Sequence, residues 1–89
     1  METTEQLLVE RHKTHGSFKD NAQTMQALKR ICHVSRNWGM MNDVQKESVE
    51  MICHKLGRIL SGDPSFQDHW DDIAGYAKLV PQFQDDNTA

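Results

Sequence analysis

Acidic side chains recur in this chain at helical spacing. Glu47 and Glu50 stand three apart in "KESVE", and Asp68, Asp71 and Asp72 crowd "DHWDDIAGY". Carboxylates three or four residues apart share one helix face. Two helices that each offer such a pair can hold Mg²⁺, a hard ion that takes oxygen ligands octahedrally and keeps several waters. The expected ligands are Glu47, Glu50, Asp68 and Asp72. An ion held in this way grips a di- or triphosphate. Lys55 and Arg58, one or two turns beyond Glu50, are placed to neutralise phosphate oxygens. Glu47 or Glu50, when not a ligand, can orient an attacking water.

The same residues have a plainer reading. Glu47, Glu50, His54 and Arg58 fall within roughly 80° of one another on a helix. They lie opposite Val49, Ile52 and Leu56, and make a solvated stripe with favourable neighbours four apart. Acids in the first turn of a helix also complement its dipole. Two glycines weigh towards a site. Gly57 and Gly75 fall inside helical patterns, where glycine costs about 1 kcal/mol relative to alanine. Glycine is accepted there when another backbone or a ligand must come close.

Further candidates surround these. "HKTHGSF", His12 to Phe18, brings Lys13, His15 and a helix start at Ser17 together. Free N–H groups at such a start can receive an anion. The alternative is an ordinary corner with Phe18 stapled into the core. His15, Trp38 and Tyr76 are candidates to contact a base or substrate, whereas Trp70 is expected in the core. His54 is expected at a surface or interface. No serine or cysteine has the base partners of a nucleophile. Cys32 and Cys53 lie in an echo, "RICH" and "MICH", that lacks metal-ligand spacing, and are expected as reduced thiols.

Four helices must position these groups. The pattern predicts Thr4–His15, Phe18–Ser35, a helix from after Asn42 to Leu60, and Phe66–Val80 ended by Pro81. Caps are expected at Thr3 with Gln6, and at Ser17. The fourth helix is expected to bury Trp70, Ile73, Ala74 and Ala77. No strand is predicted. The fold class is therefore all-α: a small four-helix bundle over residues 1–80, with a polar, flexible tail over 81–89. A chain of 89 residues buries a thin core, so association as a homo-oligomer, a dimer or higher, is expected. The net charge of −3 gives no case for duplex nucleic acid. No segment reaches the roughly 18 apolar residues of a membrane span, and none reads as a signal peptide, so a cytoplasmic, non-membrane protein is expected.

A helix with E-x-x-E followed, after a turn, by a helix with paired acids resembles the all-α NTP pyrophosphohydrolases of the MazG and dimeric dUTPase type. Their pattern is E-E-x-x-E and then E-x-x-D. Glu47 and Glu50 match the second and third acids, with Lys46 at the first. Asp72 matches the closing aspartate, with His69 three residues before it and Asp68 one further back. "ERHKTHGSF", "VEMICHKLGRILSGDP" and "DHWDDIAGYAKL" also resemble a small uncharacterised phage and prophage family. The resemblance implies a MazG-like bundle, usually oligomeric, in the cytoplasm of a bacterial host. It further implies Mg²⁺ as cofactor and hydrolysis of a (deoxy)nucleoside triphosphate to monophosphate and pyrophosphate.

The expected function is Mg²⁺-dependent nucleotide binding with possible hydrolysis. Lys55, Arg58 and Lys13 would take the phosphates. Two alternatives stand beside it. One is a non-catalytic phage protein that sequesters a nucleotide signal of host defence and needs no metal. The other is a helical interaction module whose acids face water.

Overall fold

The computed structural model describes residues 3–83. It is built from α1 (Thr4–His15), α2 (Phe18–His33), a single 3₁₀ turn (Trp38–Met40), α3 (Asp43–Ser61) and α4 (Gln67–Phe83). No strand occurs among the described residues. Local chemistry sets the boundaries. Thr3 Oγ1 accepts the Gln6 N–H while Gln6 Oε1 accepts the Thr3 N–H, closing the predicted capping box. Asn42 and Gln45 repeat that exchange at the start of α3. Ser17 Oγ accepts the Asp20 N–H at the start of α2.

Two ends differ from expectation. Helix α2 stops at His33, where the Ser35 hydroxyl turns back onto the Ile31 carbonyl instead of extending the ladder. Helix α4 does not stop at Pro81 but runs through it to Phe83. Proline forfeits one N–H bond, yet its fixed φ of about −65° is itself helical, so a last half-turn can follow. Residues 84–89 of the expected tail lie outside the described residues.

Helix α3 is the centre of the fold. It packs mainly against α4 and α2, and α1 touches both α3 and α2. Its two sides bury different chemistry. Towards α2 it presents Cys53 and Gly57, and the missing Cβ of Gly57 would lie 2.9 Å from Met25 Cγ. That glycine is therefore explained by helix packing and requires no ligand. The thiols of Cys32 and Cys53 meet across the same seam, Sγ to Sγ 3.9 Å, and both are free. Burial, with the Cys32 contact next, pushes the Cys53 thiol up to about 11. Towards α4 the helix buries Lys55, whose ammonium meets Asp72 Oδ2 at 2.8 Å.

Helix α4 turns a different face inward from the one predicted. His69 is its buried residue, with Ile73, Tyr76 and Val80 half-buried along the same side. Trp70, Ala74 and Ala77 are exposed. The cause is a polar clasp. His69 Nε2 donates to the Thr14 carbonyl (2.8 Å), and its ring packs edge-on against Phe66 and His15. Trp70 is left to donate its indole N–H to the Pro64 carbonyl at the rim.

Two glycines complete this junction. Gly16 ends α1 with φ +81°, and a Cβ there would sit 2.0 Å from the Ser61 carbonyl oxygen. A Cβ on Gly62 would lie 2.5 Å from the Thr14 oxygen. The α1–α2 corner and the α3–α4 turn are thus pressed backbone to backbone, a contact that only glycine admits. Asn21, 4% exposed, ties the same junction by donating Nδ2–H to the His15 carbonyl and accepting from the Ser61 hydroxyl. Only Met25, Cys53 and Ile59 are buried among the described apolar side chains, so the core is thin. No described helix is long and apolar enough to cross a membrane.

Candidate anion-binding groove

Beside this junction a groove of about 840 Å³ opens between α1, α2 and α3. Leu8, Phe18, Ala22 and Met25 give it apolar surface. Arg11, His12 and His15 reach it from α1, and His54 and Arg58 from α3. Among the described residues, no carboxylate lines it. The start of α2, with its partial positive charge, opens at the same corner beside Gly16 and Phe18. A groove lined by two arginines and three histidines, with apolar ground beside them, suits a ligand that is anionic at one end and apolar at the other.

The electrostatics bear the imprint of this crowding. Partial burial, then the positive charge of Arg58 and its neighbours, lowers His15 below the ordinary imidazole value. Burial, followed by Lys29 and Arg58, lowers His54 in the same way. Asp72 is lowered for the opposite reason: Lys55 hydrogen-bonds its carboxylate.

Of the predicted site residues, the groove gathers His15 and Arg58. The others lie elsewhere. Glu50 meets His33 Nε2 at 2.9 Å, at the far end of α2. Glu47 is exposed on α3 and Asp68 is exposed on α4. Asp72 and Lys55 hold each other. Lys13 borders a separate shallow depression on α1 with Glu5 and Glu10. Trp38 packs against His33, ring centroids 4.9 Å apart, under the Lys46 ammonium. Tyr76 is half-buried on α4. Among the described residues, no three His, Cys, Asp or Glu side chains come together in a way that could hold a metal ion. Within one chain, then, the four carboxylates do not fit a shared Mg²⁺.

Sequence reasoning missed Arg11, His12 and Asn21, and set His54 aside as a surface residue. A signal existed. "RHKTH" and "HKLGR" each place an arginine and a histidine four apart, hence on one helix face. No protein-family model matches the chain, and neither a curated protein nor a solved structure matches it.

Proposed function

We propose that the protein binds a nucleotide through its phosphates in the groove between α1, α2 and α3, and captures it without a metal ion. One observation carries the reading: among the described residues, five basic side chains and no carboxylate line the groove. Arginine suits phosphate because its planar fork donates two parallel hydrogen bonds. The Phe18 ring, 84% exposed at the edge of the groove, offers a surface on which a base can stack. The resemblance to all-α NTP pyrophosphohydrolases of MazG type directs attention to nucleotides among phosphate ligands. Phage origin and sequestration of a host nucleotide signal belong to this reading.

Association of the chain with itself is part of the proposal. Helix α1 buries no residue, and Leu8, Phe18, Ile31, Val34 and Met40 are exposed around α1 and α2. A partner copy would also supply the remaining route to Mg²⁺-dependent hydrolysis, by bringing carboxylates of two chains together. Glu47 and Glu50 share an α3 stripe with His54 and Arg58, which favours that second reading.

Calorimetric titration with a panel of nucleoside mono-, di- and triphosphates, in EDTA and again in Mg²⁺, tests the proposal. A pyrophosphate-release assay accompanies it. Binding in EDTA with no release is the expected result. Release that requires Mg²⁺ and is lost in Glu50→Gln would identify the hydrolase instead. No binding under either condition leaves an interaction module.

A further inference from the structure

The two walls of the groove carry the same pair of residues at the same spacing. On α1, Arg11 and His15 are four apart; on α3, His54 and Arg58 are four apart in the opposite order. Residues at this spacing are neighbours on one helix face, and all four line the groove. Among the described residues, neither guanidinium is engaged in an ion pair. The arginines thus stand as fixed, uncommitted charges on opposite walls.

Partial burial, and then the charges that face them, lower both imidazoles below the ordinary value. Around His15 stand Arg11 on its own helix, Arg58 and Lys55 on α3, and His69 on α4. Around His54 stand Lys29 on α2, with Arg58 and Lys55 on its own helix; Glu50 is the opposing acid. The balance disfavours a further positive charge on either ring. An entering anion reverses that balance. Thr14 Oγ1 already engages Nδ1 of His15 at 2.5 Å, which leaves Nε2 for a ligand.

We propose that the two Arg–His pairs form one clamp for a terminal phosphate bridging α1 and α3, and that His15 and His54 each take up a proton from solvent as it enters. The clamp rests on the anion-binding reading given above and adds the ligand class to it. Two guanidinium charges match the dianion of a terminal phosphate better than the single charge of a phosphodiester. Each protonated imidazole then adds a charge-assisted donor from its own wall. Capture therefore tightens as pH falls from 7.5 towards 6.5, above the range of about 6 where the phosphate dianion itself is protonated, by up to about tenfold per pH unit for each proton taken up. Helix α1, which buries no residue of its own, gains an anchor to the rest of the fold through the ligand.

The imidazole resonances test this directly. The five histidines are assigned by single glutamine substitutions and titrated by NMR in the free chain and in saturating ATP without metal. His15 and His54 should titrate at least about one pH unit higher with ATP bound. His33, paired with Glu50 outside the groove, should shift far less. The affinity for cyclic AMP, a diester, should be at least about tenfold weaker than for ATP. If ATP binds and both groove histidines titrate unchanged, the clamp is wrong and the nucleotide reading survives. Equal affinity for the diester likewise overturns the clamp alone. If ATP moves no resonance at all, the nucleotide reading fails and the clamp with it.

Discussion

The groove and the acidic faces of α3 and α4 are two charged regions built in opposite ways. In the groove, an arginine from each of two helices stands without an ion-pair partner among the described residues. On the acidic faces, Glu50 answers His33 and Asp72 answers Lys55. Those two acids are already engaged, and their contacts tie α3 to α2 and to α4. The arginines still await their counter-charge. A binding site is marked less by how many charges it has than by whether the fold has already satisfied them.

The largest test of this contrast removes the geometry that opens the groove. Gly16→Ala places a Cβ against the Ser61 carbonyl at a φ of +81°. Backbone strain and overpacking together should destabilise the chain by about 3 kcal/mol or more. Denaturant unfolding measures this, and the groove should be lost with the fold. Next comes Arg58→Ala, which removes one wall's fixed charge. Loss of a charged hydrogen-bonding partner is worth about 1.5–3 kcal/mol, so nucleotide affinity should fall by about ten- to a hundredfold. The matching change on the acidic side, Glu47→Gln, should alter affinity in calorimetry by less than about twofold, because this exposed charge lies outside the groove and is screened.

Gly75 provides a contrast with Gly16. Nothing lies within 4 Å of a Cβ built there. Gly75→Ala should therefore stabilise the chain by about 1 kcal/mol through helix propensity, read as a higher melting midpoint. A loss of stability would show that α4 meets another backbone at this point in solution. The smallest expected effect is on pH. His15 and His54 have folded values below their unfolded value of 6.5, so the folded state binds fewer protons than the unfolded one. Their contribution to stability is then complete above pH 6.5 and lost as pH falls through the lowered values. Thermal melts between pH 7.5 and 5 should show the decline, and His15→Gln with His54→Gln should flatten it.

Much of the fold was legible because its signals are local. Thr3, Ser17 and Asn42 cap helices that begin where predicted, since a cap needs only its own first turn. The buried face of α4 was not legible. Apolar periodicity favoured Trp70, but a histidine that bonds a carbonyl 55 positions away turned the helix instead. His69 is buried and serves as a clasp. The acidic stripes were read from each helix alone. Which stripes face each other depends on the packing of Gly57 on Met25 and of Gly16 on Ser61, and no helical wheel contains those contacts. Arg11 escaped notice because it is exposed on a helix of little amphipathic character and gains meaning only opposite Arg58.

The central claim is that the site is the basic groove and not the acidic faces. Mapping backbone amide shifts by NMR as ATP is added in EDTA tests it most directly. The largest shifts should fall on Arg11, His12, His15, Phe18, His54 and Arg58, which line the groove from α1, α2 and α3. Shifts confined to Glu47–Glu50 and Asp68–Asp72, and seen only once Mg²⁺ is added, would contradict the claim.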